Sequence, residues 1–324
     1  MTATRSPLLV THSGTFHLDD AFAYAALRLA LGLGELGADH RLVRTRDKAT
    51  IVRADTVWDV GAVYDAAAGR FDHHQRGAPV RKGGTPLSAA GLVWRHHGEA
   101  VVAALLGSRA ADAALVAEVA AEIDRDVVRR IDEIDNGEKH PEDTLGLSSV
   151  VEDCNLPWDA PATGDQAAED AAFLRAAEVI EGFLRRRVEA VRARLAAVSV
   201  VLAAHRRSAD PRVLELDRKL PWQDPVFEHD PLPVLYAVYP VANGNWMVDA
   251  MPPERGSYAQ RLPLPEAWAG LLDAALAEAS GIPDAVFVHR ERFVGAARSR
   301  AGAMAMARRA MEIGNAPALR PEGM

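Results

Sequence analysis

Three short apolar stretches near the N-terminus each run into a side chain able to hold a metal ion, and this repetition constrains the fold more than any other feature of the chain. Pro7 to Thr11 leads to His12, the stretch around Thr56 to Val60 carries Asp59, and Asp72-His73-His74 follows a strand-like end at Phe71. Apolar runs this short read as buried strands. Between the first and the third of them, Ala21 to Leu31 is an alanine- and leucine-rich helical pattern stopped by Gly32 and Gly34, and a further strand is expected around Arg41 to Thr45, leading to Asp47. Strand, loop and helix in alternation predict an open α/β sheet, mostly parallel and flanked by helices. In such sheets ligands gather beyond the carboxyl ends of the strands, so the three clusters are expected to form one site.

The rest of the chain extends this plan. Gly83-Gly84-Thr85-Pro86 predicts a loop, Leu87 to His96 a helix ended by Gly98, and Ala100 to Ile134 helical spacing that stops at Asn136-Gly137. Asp132 and Asp135 lie three apart and share a helix face, so spacing leaves open which of them reaches the site. Asn155 to Gln166, rich in proline and small residues, reads as a linker before a helix from about Ala167 to Ala197. Strands are then expected at Val198 to Ala203, Val213 to Leu216, Val234 to Tyr239, Asn245 to Ala250 and Ala285 to Val288, with helices at Glu266 to Ala279 and Arg298 to Met311. Two domains follow: residues 1–154, holding the metal-binding and catalytic groups, and residues 155–324, comprising the linker, the long helix and a smaller C-terminal α/β domain.

Charge narrows the function. The 37 basic residues are outnumbered by 45 acidic ones, for a net charge of -8, which excludes a basic coat for stable binding to duplex DNA. A short phosphate-bearing substrate remains compatible, because a bound metal is itself a local positive charge. Arg185, Arg186, Arg187, Arg192 and Arg194 fit a solvated or ion-paired helix face, and His96-His97 a helix C-terminus where the dipole favours imidazolium. The single cysteine, Cys154, can form neither an internal disulfide nor a thiolate metal cage. With no signal-peptide pattern and no run of membrane-spanning length, the expectation is a cytoplasmic protein without membrane contact.

In the segment His12-Ser13-Gly14-Thr15-Phe16-His17-Leu18-Asp19-Asp20, four potential ligands occupy nine positions. They lack the i, i+4 spacing of a metalloprotease helix, so a loop turning at Gly14 must bring them together. Asp19 or Asp20 can equally cap the helix that follows.

Taken together, these stretches resemble the DHH superfamily of metal-dependent phosphoesterases, and within it the melanocyte-proliferating-gene family. The resemblance is carried by Thr11 to Asp19, Arg44-Thr45-Arg46-Asp47, Asp59-Val60-Gly61, Asp72-His73-His74-Gln75-Arg76, Leu87 to Val93, Ile134-Asp135-Asn136-Gly137 and Phe287-Val288-His289. It implies a DHH-like N-terminal domain holding two divalent ions, one on His12, His17 and Asp59, the other on Asp19, Asp59, His73 and Asp135, with Asp59 bridging. His74 would face substrate phosphate, Asp72 would support a neighbouring histidine, and Arg76 and His289 would bind substrate. Where many superfamily members carry aspartate this chain has His17, and the added nitrogen favours Mn²⁺, with Mg²⁺ or Zn²⁺ as alternatives. The glycine-rich stretch expected after His289 is here only Gly295-Ala296-Ala297.

The implied activity is a 3′-to-5′ exonuclease or small-oligonucleotide phosphodiesterase acting on short RNA through a water activated by two metals, in a protein able to form homo-oligomers. A pyrophosphatase-like hydrolase of a smaller phosphate compound and a non-catalytic metal-binding protein are the alternatives. Trp222, Tyr236, Tyr239 and Trp246 could stack on bases, although packing in a core is the commoner use of such residues.

Overall fold

The computed structural model describes residues 6–139, 146–229 and 232–315. The chain divides into two compact units, 1–192 and 193–324, at a point inside one helix. In the first unit, β1 (Leu8–Thr11), β2 (Arg41–Arg44), β3 (Thr56–Trp58), β4 (Tyr64–Asp65) and β5 (Arg70–Phe71) form a sheet in the order β2-β1-β3-β5-β4. All but β4 are mutually parallel. Pairing of Val10 with Val57 and of Trp58 with Phe71 puts the ends of β1, β3 and β5 level at one edge. The three metal-binding stretches therefore leave the sheet side by side.

Around this sheet the first unit places α1 (Leu18–Ala30), α2 (Lys48–Arg53), α3 (Ala89–Leu106), α4 (Ala113–Ile123), α5 (Arg129–Asp135), α6 (Leu147–Glu152) and the start of α7 (Gln166–Arg207). Every residue of α1 from Leu18 to Leu27 is buried. A helix that is covered all round lies inside the unit rather than on its surface, and α1 packs along α3. Trp58 fixes its first turns to the sheet. The indole stacks on Tyr24 at 5.9 Å, and Nε1 donates to the Asp20 carbonyl at 3.0 Å.

Helix boundaries differ from the sequence expectation in places. The helix expected to end at Gly98 runs on to Leu106 and stops at Gly107, φ 57°. Gly98 lets the Trp94 indole lie back along the helix, since a Cβ there would come within 2.8 Å of the ring. His96-His97 is thus mid-helix and owes nothing to a terminal dipole: His96 Nε2 shares a 2.7 Å hydrogen bond with the Tyr64 hydroxyl, and His97 meets Phe71 edge-on. Likewise Val198 to Ala203 is not a strand but part of α7. Its β-branched residues mimic a strand, yet no glycine or proline interrupts the chain between Gly182 and Pro211, and burial of Val201 and Ala204 against Leu214, Trp222 and Val226 overrides the weak local preference.

The second unit carries the end of α7, then β6 (Val213–Glu215), α8 (Gln223–Glu228), β7 (Tyr236–Pro240), β8 (Trp246–Ala250), α9 (Asp273–Ser280), β9 (Ala285–Val288), β10 (Val294–Ala297) and α10 (Arg300–Asn315). Its sheet has the order β6-β7-β8-β10-β9, with only β6 and β7 parallel. The helix expected from Glu266 to Ala279 is split, because Gly270 at φ 72° separates a short turn at Glu266–Trp268 from α9. Trp222, Tyr236 and Tyr239 are core residues, while Trp246 is half-buried against the core. Base stacking by the first three is therefore excluded. Among the described residues, no helix is long and apolar enough to cross a membrane.

Candidate metal centre

His12 emerges from β1 with its ring almost fully buried. Its Nε2 lies 2.8 Å from Asp20 Oδ2 and 3.2 Å from Asp59 Oδ2. The loop that follows turns at Gly14, φ 93°. The buried guanidinium of Arg44, at the end of β2, donates to the Gly14 carbonyl and lies over the rings of Phe16 and Phe173 at 5.4 and 5.0 Å. His17 then caps α1, its backbone N–H donating to Asp20 Oδ1 at 3.1 Å. Asp19 and Asp20, in the first turn of α1, point inward, and both carboxylates are buried.

Asp59 sits at the centre. Its two oxygens face different histidines, Oδ2 toward His12 and Oδ1 toward His73 Nε2 at 3.2 Å, with His74 Nδ1 3.7 Å from the same Oδ1. The backbone there is left-handed, φ 55°, in a turn that also holds Gly61 at φ 101° and Ala62 at φ 56°. Aspartate tolerates this region better than most residues, and such strain collects at functional sites. Asp72 braces the turn from below: Oδ2 accepts from the Ala62 N–H at 2.5 Å, and Oδ1 accepts from the His73 and His74 N–H groups at 2.7 and 3.1 Å. Asp72 Oδ1 also lies 2.7 Å from His74 Nδ1, which leaves Nε2 of this exposed ring free.

Asp135, at the C-terminal end of α5, approaches His73 Nε2 to 3.5 Å, and Asp19 Oδ2 lies 4.0 Å from the same nitrogen. Asp132 is committed elsewhere. Its Oδ1 accepts from the Ser88 N–H and hydroxyl at 3.0 and 2.7 Å, and its Oδ2 accepts from Arg81 Nε at 2.5 Å. Of the two acids on that helix face, Asp135 is the one beside the histidines.

Among the described residues, three sets of side chains have ligand atoms within 4.8 Å of one another: His12, Asp20 and Asp59; Asp59, His73 and His74; and His17, Asp19 and Asp135. Asp59 belongs to two of them. His17 is grouped with Asp19 and Asp135, whereas Asp20 completes the set around His12. Asp20, counted among the potential ligands of this segment, is absent from the ligand sets that the resemblance implies, because an acid pair ahead of a helix also reads as a cap; its approach to His12 at 2.8 Å needed the loop path. A cation fits these groups on its own evidence. Asp19 Oδ1 is fully buried without a hydrogen-bond partner among the described residues, a costly state for a carboxylate oxygen unless a cation meets it. Mixed imidazole and carboxylate donors suit a transition metal.

The electrostatics carry the same message. Burial, reinforced by the charges of Asp59, Asp135 and Asp20, pushes the Asp19 carboxyl well above its ordinary range, and burial also raises Asp135. Against the opposing effect of burial, hydrogen bonds to Asp20 and Asp59 push His12 up to about 10, and bonds from His12 and His73 hold Asp59 far below the usual carboxylate range. A raised histidine stabilises the fold fully below its unfolded value and loses that contribution as pH rises through its folded value. With chelator present, the urea midpoint is therefore expected to fall between about pH 6.5 and pH 10. Substituting His12→Gln should flatten that segment of the curve, while an unchanged slope would exclude His12 as its source.

The centre opens into a cleft of about 1080 Å³, lined by His12, His17, Asp59, His73, His74 and Asp135 together with Arg46 and Lys48. Arg46 and Lys48 are exposed cations at its wall, and only position in the fold reveals them as neighbours of the centre. Arg76 is exposed in the turn after His74. His289 belongs to the second unit, in the hairpin between β9 and β10, where its Nδ1 accepts from the Glu291 N–H at 3.1 Å and its ring packs on Phe293.

Residues 8–311 match the family described as an uncharacterised protein family, UPF0160, MYG1_exonuc. Among curated relatives, the MYG1 exonuclease of Homo sapiens is 37% identical over 93% of this chain and 85% of its own length. The MYG1 exonuclease of Bos taurus is 35% identical, covering 98% and 88%, and the MYG1 protein YER156C of Saccharomyces cerevisiae is 30% identical, covering 91% and 93%. No solved structure matches.

Proposed function

This chain belongs to the MYG1 exonuclease family, UPF0160, and on that premise we propose that it is a divalent-metal-dependent phosphodiester hydrolase, a 3′-to-5′ exonuclease or small-oligonucleotide phosphodiesterase acting on short RNA. The exonuclease names of its relatives support a nuclease role. The observation that carries the finer reading is the division of the Asp59 carboxylate between His12 and His73, beside the orphaned Asp19 oxygen and inside a cleft walled by Arg46 and Lys48.

In this reading His12, His17, Asp19, Asp20, Asp59, His73 and Asp135 hold the metal, with Mn²⁺ the best match to the donors. When bound, divalent ions there polarise a phosphoryl oxygen and supply a nucleophilic water at neutral pH. The remaining work falls to the chain. Arg46 and Lys48 draw the phosphate backbone into the cleft and orient it. His74, donating Nδ1–H to Asp72, can donate to the non-bridging oxygens or to the leaving group only through a proton on Nε2. Residues 1–154 are the catalytic part and residues 155–324 the substrate-binding part, with Arg76 and His289 as further substrate contacts; likeness to the DHH superfamily belongs to the same proposal.

The test is hydrolysis of a labelled short RNA and of pyrophosphate, side by side, with Mn²⁺ and with chelator. Mononucleotide release that needs metal and disappears in His73→Ala supports the proposal; phosphate release from pyrophosphate alone would replace it with a pyrophosphatase. Asp72→Ala, which frees His74 and the turn at Ala62, is expected to reduce kcat/KM by about 10- to 100-fold. Unchanged kinetics in that variant would remove Asp72 from the mechanism.

A further inference from the structure

A second, smaller cavity of about 240 Å³ adjoins the centre and shares His17, Asp19 and Asp135 with it. Its walls are otherwise Phe16, Leu18, Ile131 and Ile134, with Ser148 and Glu152 as the remaining polar groups. Among the described residues no lysine or arginine lines it, in contrast to the large cleft, which carries Arg46 and Lys48 and meets it at His17 and Asp135. The two cavities therefore differ in what they can accept. His17, Asp19 and Asp135 belong to the metal centre; beyond them the walls are apolar apart from Ser148 and Glu152, whose carboxylate repels a phosphate, and the volume lies below the range of roughly 300–1,000 Å³ that houses a drug-sized ligand. A single flat, uncharged ring system fits those limits.

We propose that this cavity is the nucleobase pocket of the enzyme, holding the base attached to the scissile phosphate while the phosphate itself lies on the cleft side of His17 and Asp135. The assignment rests on the nuclease reading above. Phe16, Leu18, Ile131 and Ile134 cover the faces of the base, a contact that tolerates any base because each has a π-face. Glu152, whose carboxylate can only accept, favours bases with an exocyclic amino group, namely guanine, adenine and cytosine, over uracil. Ser148 can donate or accept and so adds little discrimination.

The experiment compares ribodinucleotides with their two counterparts lacking one base or the other, using the Mn²⁺-loaded full-length protein. Wild type is expected to lose at least about tenfold in kcat/KM when one particular base is removed. Ile134→Trp, which fills the cavity, should bring that ratio close to one, and the exposed Glu152→Ala should erase the preference for amino-bearing bases over uracil while leaving the fold intact by thermal unfolding. Wild type cleaving both abasic dinucleotides as fast as the intact one would overturn the pocket and leave the nuclease reading in place. So would a wild-type base preference retained in Glu152→Ala together with a wild-type ratio in folded Ile134→Trp. Failure of wild type to cleave any dinucleotide with metal present would overturn the nuclease reading, and the pocket with it.

Discussion

Asp59→Ala is expected to lower kcat/KM on short RNA by about 10³-fold or more and to weaken metal binding in parallel. The carboxylate is the one group that belongs to two of the three ligand sets, so its loss uncouples both rather than trimming one. Charge stabilisation by a metal centre is worth several kcal/mol, and each 1.4 kcal/mol or so is a factor of ten in rate. Because residue 59 is left-handed, alanine adds backbone strain to the loss of charge. Asp59→Asn separates the two, since asparagine tolerates the same conformation. Activity should be nearly as low in the asparagine variant, whereas thermal stability should fall mainly in the alanine one. Asparagine with near wild-type turnover would show that Asp59 acts through backbone shape alone.

The second large effect is structural. Asp132→Ala removes the acceptor for Arg81 Nε, the Ser88 N–H and the Ser88 hydroxyl in one step, at a position with no solvent exposure. Each buried donor left unsatisfied typically costs about 1–3 kcal/mol, readable as a lowered urea midpoint at unchanged slope. Arg81 stays paired with Asp124 through Nη1 and Nη2 at 2.8 and 2.9 Å, so the groups left without their acceptor are its Nε and the two Ser88 donors. The folded fraction of Asp132→Ala should keep turnover within about tenfold of wild type, while Asp135→Ala loses far more. Equal losses at the two positions would contradict the assignment of Asp135 to the centre and Asp132 to its scaffold.

Much of the site was legible because its chemistry sits where strands end. His12, Asp59 and the Asp72-His73-His74 stretch each follow an apolar run, and parallel pairing of those runs brings them to one edge without help from distant sequence. Asp135 was legible only as one of a pair, since three-residue spacing gives two acids the same direction and cannot say that Ser88 and Arg81 take the first. Asp20 as the partner of His12, and Arg46 and Lys48 as members of the cleft, were not legible. Their role depends on the path of a loop and on the packing of α2, neither of which leaves a periodic trace. In the fold, errors came where local preference met tertiary burial: valines read as a strand at Val198 to Ala203 continue α7, and Gly98 reads as a stop yet serves as a seat for Trp94.

The alignment of β1, β3 and β5 makes the sheet a ruler for the centre. Neighbouring strands are held about 4.8 Å apart by their backbone hydrogen bonds, and His12, Asp59 and Asp72 follow directly from three adjacent strands. The spacing of the chemistry is thus inherited from peptide geometry rather than negotiated by side chains. Segments that join the strands on the far side, such as residues 31–40, are free to lengthen or shorten between relatives. An insertion of one residue inside β3 would instead carry Trp58 to the edge in place of Asp59 and dismantle the centre. Variation in length should accumulate between these strands and stay out of them.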